Sequence, residues 1–118
     1  MYASARELPN VGVLNELLTV DSSSPSGLTW RVNRRGTAKA GTRAGAVATS
    51  GTGANFWSVR VNGTLFQAHR LIWKMINGND PVNVIDHIDG NPLNNNINNL
   101  QDITQQQNLT KAVGQVYA

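Results

Sequence analysis

With 118 residues, ten Lys and Arg against seven Asp and Glu, a formal net charge of +3 and no cysteine, the chain has room for one compact domain and not for two of ordinary size. The lack of cysteine excludes disulfides and thiolate zinc sites, and no run approaches the roughly 18 apolar residues that cross a bilayer. The opening MYASARELPN has neither the charged start nor the apolar block of a secretory signal, so the expectation is an intracellular protein with no membrane partner.

Charge is segregated along the chain. Arg31, Arg34, Arg35, Lys39, Arg43, Arg60, Arg70 and Lys74 follow one another with no acidic residue between them, whereas Asp80, Asp86, Asp89 and Asp102 fall in a stretch without Lys or Arg. Two readings stay open on charge alone: a solvated face, or a phosphate-binding surface beside a metal site.

In chain order, PNVGVLNELLTV at residues 9–20 places Val13, Leu14, Leu17 and Leu18 at helical spacing and predicts a short amphipathic helix. DSSSPSG reads as a turn, and LTWRVN at 28–33 alternates apolar and polar side chains as a strand does. The Gly-, Ala- and Thr-rich stretch that follows is either a loop or a pair of weak strands. FWSVRVNGTLFQAH places two alternating runs around Asn62-Gly63, a dipeptide suited to a two-residue hairpin turn, and predicts a hairpin over about 56–68. HRLIWKMING predicts a helix over 69–77, stopped by Gly78, with Trp30, Trp57 and Trp73 as core anchors. VNVIDH reads as a strand ending at Asp86-His87, LQDI as a second strand, and TQQQNLTKA as a helix opened by Thr104 and Gln107 in capping-box spacing. The fold class expected is therefore α+β: a small single unit with an N-terminal helix and hairpin-helix part over residues 1–78, followed by a strand, loop, strand and helix over 79–118.

Between the last two strands lies DGNPLNNNINN. Asparagine tolerates left-handed backbone and bonds to nearby main-chain groups, so Asn91, Asn94, Asn95, Asn96 and Asn98 are expected to satisfy the loop, with Asp89-Gly90 as its bend. Strict alternation would send Asp86 and His87 to opposite faces, although a strand end can relax that rule. Asn108, one turn into the final helix, could face back and join Asp86 as a second oxygen ligand. Such a pair suits Mg²⁺, which takes few protein groups and keeps its waters, and a neighbouring imidazole can act as general base.

The segment HRLIWKMINGNDPVNVIDHIDGNPLNNNINNLQDITQQQNLTK resembles the HNH endonucleases, specifically the phage and homing type with a ββα-metal fold. LLTVDSSSPSGLTWRVNRRG and the hairpin resemble the amino-terminal parts of the same small proteins. The resemblance implies an endonuclease acting on double-stranded DNA in a bacterial or phage-infected cytoplasm, leaving 5′ phosphate and 3′ hydroxyl ends. It makes His87 the general base and Asn99 the residue that holds the loop and orients the histidine. Asp86 and Asn108 become the metal ligands in an H-N-N variant that favours Mg²⁺ or Mn²⁺ over Zn²⁺. Arg31, Arg34, Arg35, Lys39, Arg43, Arg60, His69, Arg70 and Lys74 are the candidate DNA contacts. The alternative is a DNA-binding protein with a disabled nuclease fold, and neither monomer nor homodimer is favoured by the sequence.

Overall fold

The computed structural model describes residues 7–36 and 38–103. Helix α1 (Val11–Leu17) leads into β1 (Leu18–Val20), which pairs antiparallel with β2 (Leu28–Trp30). A three-stranded antiparallel sheet follows, in the order β3 (Ala46–Thr49), β4 (Asn55–Val61), β5 (Thr64–Gln67). Next come α2 (Ala68–Asn77) and an antiparallel pair, β6 (Val84–His87) with β7 (Leu100–Ile103). A short 3-10 helix, Ile97–Asn99, leads directly into β7.

Local chemistry accounts for most of these elements. The Asn10 side chain accepts from the Val13 amide at 2.9 Å, capping α1. The β4–β5 turn holds Asn62 at φ 50° and Gly63 at φ 85°, the positive angles that a tight hairpin connection of this hand needs. Helix α2 stops at Gly78, whose left-handed φ of 82° lets its amide reach the Lys74 carbonyl at 2.7 Å.

The structure departs from the expected elements at both ends of α1–β2. The helix stops at Leu17 and the chain turns extended, because Leu18, Thr19 and Val20 pair with Trp30, Thr29 and Leu28. The β-branched Thr19 and Val20 fit a strand better than a helix. Strand β2 ends at Trp30, three residues earlier than its alternation suggests. Of the Gly- and Thr-rich stretch, residues 41–44 run along the other edge of β2, with Trp30 and Ala44 amides donating to Thr42 and Leu28 carbonyls, and residues 46–49 become β3. The predicted helix at TQQQNLTKA lies outside the described residues.

One apolar core joins these layers. Leu14 of α1, Leu28 and Trp30 of β2, Val59 and Val61 of β4, and Leu71 and Ile72 of α2 pack with Ile85 of β6 and Leu100 of β7. Trp57 is buried and Trp73 partly buried against the same cluster. Buried apolar area of this kind supplies most of the free energy that holds a small domain together. Its course through β6 and β7 fixes the last strand pair on the rest of the molecule.

Candidate active site

Strand β6 carries Asp86 and His87 at its end, paired with Gln101 and Leu100 of β7. Ile85 and His87 line a pocket of about 490 Å³ whose other walls include Phe56 of β4, Gln67 at the end of β5, and His69 and Arg70 of α2. Asp86 is not among the lining residues; it shares a face with its cross-strand partner Gln101, which donates to Asp86 Oδ2 at 2.8 Å. Both Asp86 and His87 are buried.

The loop after His87 is held by side-chain amides and one carboxylate together with short backbone turns. Gly90, at φ 77°, turns its amide back to the His87 carbonyl at 2.8 Å. Asp89 accepts from the Asn91 amide at 2.8 Å and from the side-chain amides of Asn94 and Asn99 at 2.9 Å each. Asn99 closes the loop: its Oδ1 accepts from the Asp89 amide and its Nδ2 also donates to the Asn94 carbonyl, both at 2.9 Å, while its own carbonyl accepts from Ile88. Asn91, Asn94 and Asn96 each accept from a backbone amide two residues on. These are the local turns that an Asn-rich loop is suited to make. Trp57 anchors the loop from outside, its indole N–H donating to the Leu93 carbonyl at 3.2 Å.

Asp89 consequently has its acidity raised, with a pKa drawn down to about 2, first by the Asn94 side chain, then by the Asn91 amide and the Asn99 side chain. It is an anionic hub, which adds to the bend that its Asp-Gly sequence indicates.

Asn95 stands apart from its neighbours. It is buried, donates from Nδ2 to the Ser26 carbonyl at 3.0 Å, and places Oδ1 2.8 Å from His87 Nε2. Nothing in the run of asparagines distinguishes it, since Ser26 is 69 residues away in sequence. The side chain that reaches the His87 ring is thus Asn95, whereas Asn99 acts on the loop.

His69 packs edge-on against His87, with centroids 4.8 Å apart and planes at 75°. Burial, aided by the charges of His87 and Arg70, lowers the His69 pKa to about 3, so the ring is neutral at ordinary pH. Among the described residues, its Nδ1 and Arg70 Nε are buried and meet no hydrogen-bond partner.

The basic residues do not form one patch. Arg34 lies over the Trp30 ring at 4.8 Å and Arg43 over Trp57 at 5.4 Å, and Arg34, Arg35 and Arg60 line a common cleft with Trp30. Arg31, Arg35, Lys39, Arg43 and Arg60 are exposed. His69 and Arg70 belong instead to the His87 pocket. Lys74, grouped by sequence with the DNA contacts, is turned inward: its ammonium pairs with Asp80 at 2.6 Å and donates to the Leu8 carbonyl at 3.2 Å. A cation with only 11% of its side chain exposed and held by those partners is a structural tie.

The acidic stretch is also largely occupied. Asp102 accepts from the amides of Val82 and Asn83, and Asp80 from that of Leu8. Among the described residues no three His, Cys, Asp or Glu side chains converge on one point, so a hard ion here would rest on the Asp86 carboxylate and few other protein groups, a donor chemistry that Mg²⁺ accepts. Asn108 lies outside the described residues.

Residues 66–110 match the family model for HNH endonucleases. That span runs from the end of β5 through α2, β6, the asparagine loop and β7. Residues 66–110 are an HNH endonuclease segment. No curated protein and no solved structure matches the chain. In the HNH segment, the strand-loop-strand order with His87 at the pocket wall is the arrangement that a ββα motif begins with.

Proposed function

We propose that the chain is a metal-dependent endonuclease that hydrolyses phosphodiester bonds of double-stranded DNA, of the phage and homing type, with residues 1–78 contributing most of the DNA contacts and residues 79–118 the cutting site. The observation that carries this reading is the position of His87: its ring forms the wall of a pocket beside Arg70, at the end of a strand whose following loop is closed by Asn99, within the HNH segment.

In this reading His87 takes the proton from the attacking water. Asn99 keeps the loop closed so that the His87 backbone has one position. Asp86 and Asn108 would hold the ion, with Gln101 fixing the orientation of the Asp86 carboxylate. Their carboxylate and amide oxygens suit Mg²⁺ or Mn²⁺ better than Zn²⁺. When bound, the ion supplies electrostatic stabilisation of the charge that develops on the phosphate oxygens. Arg70, beside His87, faces the phosphate being cut, and Arg31, Arg34, Arg35, Lys39, Arg43 and Arg60 neutralise backbone phosphates away from it.

Supercoiled plasmid incubated with the full chain tests the reading. Nicked or linear product is expected with Mg²⁺ or Mn²⁺ and none with excess chelator. His87→Ala should lower the rate by ~10² to 10⁴ while leaving the circular dichroism spectrum unchanged. A wild type that binds DNA yet leaves it intact under both ions would overturn the nuclease reading and leave a DNA-binding protein on a disabled fold.

A further inference from the structure

We infer that Asn95 is a positioning residue that fixes which ring nitrogen of His87 carries the proton; the inference rests on His87 being the general base. An asparagine amide can present either its oxygen or its nitrogen to a neighbour, and the choice here is set from behind. The Ser26 carbonyl can only accept, so the 3.0 Å contact requires the Asn95 nitrogen on that side. The Asn95 oxygen is then the atom 2.8 Å from His87 Nε2. That oxygen can only accept, so Nε2 bears the hydrogen and the lone pair of the neutral ring resides on Nδ1.

The reverse arrangement would set the Asn95 oxygen against the Ser26 carbonyl oxygen among groups 0–9% exposed, where water cannot relieve the repulsion. The support extends back into the N-terminal part of the chain. Ser26 is itself locked, its hydroxyl donating to the Leu28 carbonyl at 3.0 Å and accepting from the Leu28 amide at 3.3 Å. Gly27, at φ 85°, allows this turn to close onto Asn95; a Cβ there would stand 3.1 Å from Asn95 Cβ and 2.7 Å from Ile72 Cδ1. His69 packs edge-on against the His87 ring and restricts its rotation. The turn at 26–27, which makes no claim to chemistry on its own, thereby sets which nitrogen of His87 carries the hydrogen. As the ring becomes charged, the Asn95 oxygen stays in place to accept from Nε2–H.

The test is a long-range ¹H–¹⁵N correlation spectrum of the full-length protein at a pH where His87 is neutral. The chain has two histidines, so the His87→Ala spectrum assigns the signals. The expected wild-type spectrum is that of a single Nε2–H tautomer. Asn95→Ala should give a mixture of tautomers, with kcat reduced about 10- to 100-fold and KM unchanged. If the alanine variant does not fold, the wild-type tautomer by itself carries the test. A wild-type ring protonated on Nδ1, or a tautomer ratio indifferent to Asn95→Ala, would overturn the inference. These spectra need no substrate, so they judge Asn95 even if the plasmid assay rejects the nuclease.

Discussion

Asp89 illustrates how much one exposed carboxylate can organise. Three amide donors converge on it, and each bond favours the ionised form, which is why its pKa falls to about 2 against about 3.9 in an unfolded chain. Between those two values the unfolded state binds more protons than the folded one, so lowering the pH favours unfolding. The contribution is fully present above about pH 4 and disappears as the pH falls through about 2. In urea titrations the midpoint of the wild type should therefore decline more steeply between about pH 4 and 2.5 than that of Asp89→Asn, which has no carboxyl to protonate. Parallel curves would mean that the loop draws no stability from the charge. His69 works in the opposite sense to a surface histidine: buried and neutral, with its pKa lowered to about 3. An unfolded His69 takes up a proton near pH 6.5, so stability on this account declines as the pH drops from about 6.5 toward 3.

At the scale of elements, one ion pair with a buried lysine and a partly buried aspartate ties the N-terminal segment to the end of α2. Lys74 bonds Asp80 and the Leu8 carbonyl, and Asp80 accepts in turn from the Leu8 amide. Removing the ammonium leaves a half-buried carboxylate and a carbonyl without their donor. Lys74→Met is accordingly expected to cost about 1–3 kcal/mol in denaturant unfolding and to speed hydrogen exchange at the Leu8 amide. The methionine should leave the affinity for DNA nearly unchanged, because the charge it removes faces the interior. The turn before β2 makes a comparable demand on backbone shape. Gly27→Ala forces a left-handed alanine against Ile72 and Asn95, and should destabilise the fold by about 1–3 kcal/mol, measured by thermal or urea unfolding.

For the molecule as a whole, the basic residues that follow one another in the sequence separate into two places. Arg34, Arg35 and Arg60 meet at the Trp30 cleft, while Arg70 stands in the His87 pocket. If the first group neutralises phosphates, changing all three to Gln should make the slope of log K against log[salt] less negative by about 2 to 3, at ~0.9 per lost contact. Fluorescence anisotropy with a short duplex over a range of salt concentrations reads that slope directly. An unchanged slope would place the DNA elsewhere on the surface.

The sequence alone determined what depends on short range. Asn62-Gly63 fixed the hairpin and Gly78 the end of α2, because positive backbone angles are set by the residue itself. The turns at Asn91, Asn94 and Asn96 were equally legible, since each side chain accepts from an amide two residues on. Tertiary structure decided the rest. Leu18–Val20 became a strand because residues 28–30 lie beside it, a pairing that no local propensity encodes. Lys74 left the basic face because Asp80 and Leu8 offered a buried charge its partners. Asn95, one asparagine among many, was singled out by Ser26 and His87, groups brought to it from 69 and 8 positions away. Hydrogen bonds in a buried site are chosen by what the fold places opposite them, and that is information that residue type and spacing do not carry.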